Sequence, residues 1–387
     1  MEEVTDKAGI RMHTIQIITL EEAQERLMAC VHPVMPEKVG LLESIDRILA
    51  EDVYAAISQP PFERSAMDGY AVRSSDLKTS DRCHPVCLKV IDRVCAGEVT
   101  DKKVQAGEAI RIMTGAMIPE GADCVVKQED TDYGEEDVKI YLSLDKHINC
   151  CPIGEDFHRG DCLGQKGERI DAYMMASMAS GGIDKVSVWR KIRVAIITTG
   201  EELMMPDQPL LPGKIYNSNL AYLTGRLMQL GCDITEGCFV GDDTEAIVSA
   251  VRRSAAQADV ILTTGGVSVG VKDLLPEVIE KLGADLLFHG IDLKPGMPTM
   301  LSVKEGTLIL SLSGNPFSAA VPFFLLVRPM LARMAQNPAW EPRWITARAA
   351  TPFDKRSPTR RFLRGTCLAE EVAIPQKQAN GQMRSMI

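Results

Sequence analysis

From Ile192 onward the chain alternates strand-like and helix-like segments with almost nothing between them. RVAIITTG (193–200) is a continuous apolar run that ends in threonines and glycine. NSNLAYLTGRLMQLG (217–231) has helical apolar spacing, Asn and Ser at its start and glycine at its end. CDITEGCFV, DDTEAIVSAVRRSAAQA, DVILTTGG, VKDLLPEVIEKLG and DLLFHGI continue the alternation. Strands separated by helices of this length predict βαβ units, hence a parallel sheet covered on both faces. TMLSVKEGTLILSLSG (299–314) predicts a hairpin turning at Glu305-Gly306, and NPFSAAVPFFLLVRPMLARM (315–334) a long apolar helix.

The rest of the chain has other patterns, and 387 residues are too many for one ordinary core. Thr19 and Glu22 have capping-box spacing ahead of the helical stripe of TLEEAQERLMA. Residues 53–148 show short apolar runs, Gly and Asp turns and little helical period, which predicts a separate β-rich insertion. YMMASMASGGIDKVSVW predicts a helix ended by glycines, then a strand. A net charge of -10 and a pI near 5.3 speak against a general nucleic-acid binder. Between Trp340 and Gly365, however, Arg343, Arg348, Lys355, Arg356, Arg360, Arg361 and Arg364 outnumber Glu341 and Asp354. That stretch either faces an anion or is a solvated surface. The first residues lack the apolar core of a secretory signal. The most apolar segment, Phe317 to Leu331, is short for a bilayer and holds Pro322, Arg328 and Pro329. The expectation is a cytoplasmic protein, with no membrane or nucleic-acid partner, whose 11 cysteines stay reduced.

In an open α/β sheet, ligands bind beyond the carboxyl ends of the strands. TTGEEL (198–203), TTGGVSVGVKD (263–273), DLKPGMP (292–298) and SLSGNP (311–316) fall at such ends. Gly265, Gly266 and Ser268 offer backbone N–H groups without bulk, either as a phosphate cradle or as a tight strand–helix turn. Lys294, stiffened by the prolines and glycine after it, suits an oxyanion or is a surface lysine beside a turn. Ser313, Gly314, Asn315 and Pro316 read equally as anion loop and as ordinary helix start. Glu201, Glu202, Asp242, Asp243 and Asp273 put carboxylates at the same edge, a pattern suited to Mg²⁺ with substrate phosphates. One of the pair Asp242/Asp243 is expected to be a helix cap instead.

In the β-rich insertion, Asp68-Gly69 has the composition of a hairpin turn, and MTGAMIPEGAD adds the Thr114 hydroxyl. Cysteines crowd two places, CHPVC (83–87) and NCCPIGEDFHRGDC (149–162). Neither has standard zinc-ligand spacing, and the second wraps the carboxylate pair Glu155-Asp156.

These segments together resemble one family, the molybdopterin molybdenumtransferases of the MoeA and gephyrin E-domain type. SAMDGYAV, RIMTGAMIPEGADCVV, GEDF, VAIITTGEEL, QADVILTTGGVSVGVKD, LKPGMP and SGNPFSA carry the resemblance in family order, over nearly the whole chain. It implies a central doubly wound α/β domain of molybdopterin-binding type (13–30 with 189–337) and an elongated linker and dimerisation domain (31–58 with 149–188). It further implies a β-rich inserted domain (59–148) and a short, apparently incomplete C-terminal β domain (338–387). It implies molybdenum insertion from molybdate into adenylylated molybdopterin, dependent on Mg²⁺, with release of AMP. The implied assembly is a homodimer whose active site is shared between subunits, with the molybdopterin adenylyltransferase as a possible partner. Asp68, Thr114, Asp156 and Glu202 then match catalytic positions, and Asp242 or Asp243, with Asp273, match the metal site. Lys294 and Ser313–Pro316 match its anion-binding loops.

The chain departs from the family pattern at three places. Met297 stands where a second lysine is usual, Ser313 where a proline is, and Cys151, Pro152 and Ile153 where arginines often precede GED. Two of these changes remove positive charge, which predicts weaker molybdate affinity. The alternatives to the insertase are the adenylyltransferase of the same pathway and a non-catalytic molybdopterin carrier or scaffold.

Overall fold

The alternation that begins at Arg193 closes into one six-stranded sheet in the computed structural model, which describes residues 17–267, 274–349, 357–368 and 371–373. Contacts divide the chain into two units, residues 1–36 with 189–387 and residues 37–188. The first unit contains α1 (Leu20–Ala29), β1 (Arg193–Thr199), α2 (Ser218–Gln229), β2 (Asp233–Val240), α3 (Thr244–Ala255) and β3 (Val260–Thr264). It continues with α4 (Leu275–Leu282), β4 (Asp285–His289), β5 (Met300–Lys304) and β6 (Thr307–Leu312).

The strand order is β2-β1-β3-β6-β5-β4. β2, β1, β3 and β6 are parallel, while β5 runs antiparallel to both its neighbours. The sheet is therefore mixed, and the cause is local. Glu305 and Gly306 sit at φ 49° and 86°, the left-handed pair of a tight hairpin, so β5 must return directly into β6. No helix separates β4 from β5 either, which leaves them antiparallel. Both faces are covered, as the alternation predicts. Val194 and Ile196 of β1 pack with Leu223 and Leu227 of α2 and with Leu27 of α1, while Ala195 and Ile197 pack with Val251 of α3 and Val278 of α4. A continuous apolar run is what a strand needs when both of its faces are buried.

Thr19 and Glu22 form the capping box at the start of α1: Thr19 N–H donates to Glu22 Oε2 at 2.9 Å and Glu22 N–H to Thr19 Oγ1 at 3.1 Å. The apolar helix runs from Pro316 to Met334 as α5 (Pro316–Pro322), a π-helical stretch (Phe323–Val327) and α6 (Arg328–Met334). Its most apolar stretch is 72% buried, so the apolarity serves the core of this unit.

The second unit holds a five-stranded sheet, in the order Cys124–Lys127, Gly69–Val72, Glu108–Ile112, Val86–Val94 and Asp137–Ile140. Tyr70, Leu88 and Val126 pack on one face and Ala71, Ile110 and Val125 on the other. A separate cluster of Leu49, Ile170, Met178 and Val188 unites the helix Ala172–Ser180 with the strand Lys185–Trp189.

One ion cluster fixes where the first unit's sheet begins. Asp259, just before β3, accepts two bonds from the Arg190 guanidinium at 2.7 Å each, one from Arg193 N–H at 2.8 Å and one from the Arg193 guanidinium at 3.2 Å. Burial alone pushes this carboxyl up, but the arginine and amide donors outweigh burial and hold it below its ordinary value. A lowered folded-state value means that the stabilisation is complete above the unfolded carboxylate range, near pH 4, and fades as pH falls through the folded value. Asp259→Ala is expected to cost about 2 kcal/mol at pH 7. In denaturant titrations the difference from the unaltered protein should shrink as pH falls to about 3.

Candidate functional site

β1, β2, β3 and β6 are parallel, so their carboxyl ends share one edge, and β4 reaches the same edge after two antiparallel steps. All the loops singled out in this half of the sequence leave from there. At Gly265 the approach of backbones excludes any side chain. Its φ is 95°, and a Cβ there would lie 2.3 Å from the Thr199 carbonyl oxygen. Its N–H donates to the Leu312 carbonyl at 3.2 Å, and a Cβ on Gly314 would stand 3.4 Å from the Gly265 Cα. The ends of β1, β3 and β6 thus meet at a slot walled by backbone and the Thr199 hydroxyl. Among the described residues, the Gly266 and Gly314 amides have no partner and remain available to an anion.

Carboxylates flank that slot. Asp242 is half-buried, and its Oδ2 accepts Glu201 N–H at 3.4 Å. Asp243 is the helix cap of the pair: its Oδ1 accepts Ala246 N–H at 2.7 Å at the start of α3. Glu202 is exposed after β1, with its carboxylate folded against Gly200. Ser268 and Asp273 lie outside the described residues. Among those described, no three His, Cys, Asp or Glu side chains have the geometry to hold a metal. Mg²⁺ takes one or two carboxylates together with phosphate oxygens and water, and Asp242, with Oδ1 unengaged among the described residues, fits that use.

On the other side, Leu293–Lys294 pairs in parallel with Arg360–Arg361. Lys294 is exposed and its carbonyl accepts Phe362 N–H at 2.8 Å. Register puts Lys294 and Arg361 side by side, while Arg360 pairs with Glu21 at 2.6 Å. The Arg364 guanidinium lies 4.8 Å from the centre of the Phe317 ring, at the start of α5. The basic tail therefore supplies cations next to the Lys294 loop. Asn315 caps α5 through Phe317 and Ser318 N–H at 3.1 and 3.2 Å, with Pro316 in the first turn, so this turn is both helix start and slot wall.

Two asparagines join the site that the sequence presents only as caps. Asn217 caps α2 through Leu220 N–H at 3.1 Å and also donates to Thr198 Oγ1 at 2.7 Å. Asn219 donates to the Gly314 carbonyl at 2.7 Å. The signal was the repeat itself: one helix start needs one cap, not Asn at both 217 and 219.

The second unit brings together Asp68 and Thr114. Asp68 Oδ1 accepts both the N–H and the hydroxyl of Thr114 at 2.7 Å, so its carboxylate links two loops rather than merely making a turn. These bonds, hydroxyl first and amide second, hold the Asp68 carboxyl below its ordinary value. Asp156 is in this unit too, its N–H donating to the Gln59 carbonyl at 2.9 Å and its carboxylate exposed. Cys151 stands opposite Arg64 in an antiparallel pair, so a cation remains beside the position where arginines are missing.

Burial accounts for Cys124 and Cys150, and a turn for Cys83. Burial pushes the Cys124 thiol to about 12 and that of Cys150 to about 11, which keeps both protonated and unreactive at neutral pH. In CHPVC, Asp81 Oδ1 accepts the Cys83 and His84 amides at 2.7 Å each and makes the turn.

The Asp68–Thr114 link predicts an acid titration. Asp68 is ionised above its lowered value, so the Thr114 amide resonance should hold steady through neutral pH. It should move only at a midpoint below the ordinary value of about 3.9, and Asp68→Ala should abolish the movement.

Comparison with known proteins agrees with this geometry. A family model described as the MoeA N-terminal region (domain I and II) matches residues 18–182, and one described as a probable molybdopterin binding domain matches residues 195–333. The chain is 39% identical over 353 residues to the molybdopterin molybdenumtransferase of Bacillus subtilis, covering 90% of this chain and 82% of that protein. It is 35% identical over 368 residues to the Haemophilus influenzae protein of the same name, covering 94% and 90%. The solved molybdopterin biosynthesis MoeA protein from Pyrococcus horikosii superposes with a TM-score of 0.79 at 34% identity, over 94% of this chain and 90% of that one. With this fold, this glycine-walled sheet edge and these relatives, the chain belongs to the molybdopterin molybdenumtransferase family, enzymes of molybdenum cofactor biosynthesis.

Proposed function

We propose that this protein inserts molybdenum from molybdate into adenylylated molybdopterin and releases AMP, in the cytoplasm and as a homodimer with a shared active site. The observation that carries the reading is the glycine-walled slot at Gly265 and Gly314, with Asp242 and Glu202 on one side and Lys294 on the other. A phosphoanhydride needs donors that reach its oxygens closely, and the Gly266 and Gly314 amides provide them. Lys294, exposed and without a carboxylate partner among the described residues, suits molybdate, a tetrahedral dianion. Arg361, registered beside it, adds positive charge that Met297 does not. Mg²⁺, when bound, would neutralise phosphate charge and favour departure of AMP. Asp242 and Asp273 would hold it, since Asp243 is engaged in capping α3. Asp68 stays ionised across neutral pH and keeps the Thr114 hydroxyl directed as its donor. Glu202, exposed just past the end of β1, is a general base candidate at the same edge.

The direct test is to incubate the purified protein with adenylylated molybdopterin, Mg²⁺ and molybdate and to follow AMP. Release that depends on molybdate is expected; none at saturating molybdate would favour a carrier role instead. Restoring the second lysine should sharpen the oxyanion dependence. Met297→Lys is expected to lower the half-saturating molybdate concentration about tenfold, the scale of one charge-assisted contact. Tungstate run in parallel measures which oxyanion the loop prefers.

A further inference from the structure

Asn219 is 7% exposed, and its carboxamide has one engaged end and one orphan. Its Nδ2 donates to the Gly314 carbonyl at 2.7 Å, while Oδ1 is buried with no partner among the described residues. Rotating the amide by half a turn would set two carbonyl oxygens against each other, so the Gly314 contact fixes which end is which. Buried acceptors without donors are rare and costly, and each calls for an explanation, of which a ligand that supplies the donor is one. The hydroxyls of Thr263, Ser302 and Ser311 are also buried without partners among the described residues, but they lie inside strands and can rotate. Asn219 instead stands in the first turn of α2, against the wall of the slot formed by Gly265 and Gly314. The neighbouring Asn217 already supplies the helix cap, so capping does not explain Asn219.

We infer that Asn219 is a specificity-determining residue whose Oδ1 accepts an N–H from an exocyclic amino group on the substrate's heterocycle. The inference rests on the reading of this edge as the site of an adenylylated pterin. An amino group is a pure donor there, which suits an acceptor whose own donor is already engaged. Gly314, whose carbonyl Asn219 holds, is exposed and carries no side chain, so the flat edge of a ring can approach this wall. Two such edges exist in the proposed substrate, the pterin 2-amino group and the adenine 6-amino group, and they offer the same chemistry.

Ligand pairs that differ only in the amino group separate the two sources. Affinities of the full-length protein would be measured by calorimetry for AMP against inosine monophosphate, and for 6-hydroxymethylpterin against 6-hydroxymethyllumazine. The amino-bearing member of one pair should bind at least about tenfold more tightly. In Asn219→Ala that preference should collapse to within about twofold, with the deaminated ligand's affinity little changed. The near-isosteric Asn219→Leu serves as a second variant should the alanine form fail to fold. No preference in either pair, or a preference that survives both variants, overturns the assignment. Equal weakening of all four ligands also overturns it, since that is the mark of a structural role through Gly314. If none of the four binds, the underlying reading of the site falls with it, whereas binding without discrimination removes only the role of Asn219.

Discussion

The close packing of Gly265 against the Thr199 carbonyl and Gly314 is the constraint on which the rest of the site depends. Three parallel strands, β1, β3 and β6, end at one level because their backbones touch with no side chain between them. That contact leaves two peptide amides at the surface of the slot and brings the loops after the strands to its rim. Asp242 and Glu202 are on this rim because β1 and β2 are in parallel register up to Thr199 and Val240. Charge of both signs can then surround an anion and a cation together, which phosphoryl chemistry requires. Any larger residue at 265 would separate the strand ends before it touched a ligand.

The strands also separate stability from chemistry along their length. Asp259 and its two arginines sit at the amino end of β3, where burial is substantial and the charge pair is well bonded. The opposite end carries loosely engaged carboxylates and an exposed lysine. Groups poised for a ligand are poorly satisfied without it, so the chain keeps its best-satisfied ions at the far edge.

Local signals account for what the sequence reveals. The alternation from 193 to 312, the Glu305-Gly306 turn and the Thr19/Glu22 capping box each depend on residues within a few positions, and each is present as read. Partners distant in sequence were not legible in the same way. Asp68 looks like a turn because its real partner, Thr114, lies 46 residues away. Which of Asp242 and Asp243 caps α3 depends on where the helix begins, a matter of one residue. The antiparallel β4 and β5 depend on a connection that contains no helix but is long enough to hold Lys294. The stacking of Arg364 on Phe317 and the orphan oxygen of Asn219 follow from packing alone, with no pattern in the chain to announce them. The family resemblance supplied positions for the site residues, and the geometry separates those that bond to one another from those that do not.

Pro322 closes α5 and has no N–H to offer the Ser318 carbonyl one turn earlier. Gly296, two residues past Lys294, packs against that same carbonyl and the Pro322 ring, where a Cβ would lie within 2.9 Å of either. The gap in the helix's hydrogen bonding is thus a mould for the loop. The height at which the lysine is held above the sheet edge is set by a missing donor in a buried helix, so a substitution at Pro322, wholly inside the core, would retune a charge at the surface.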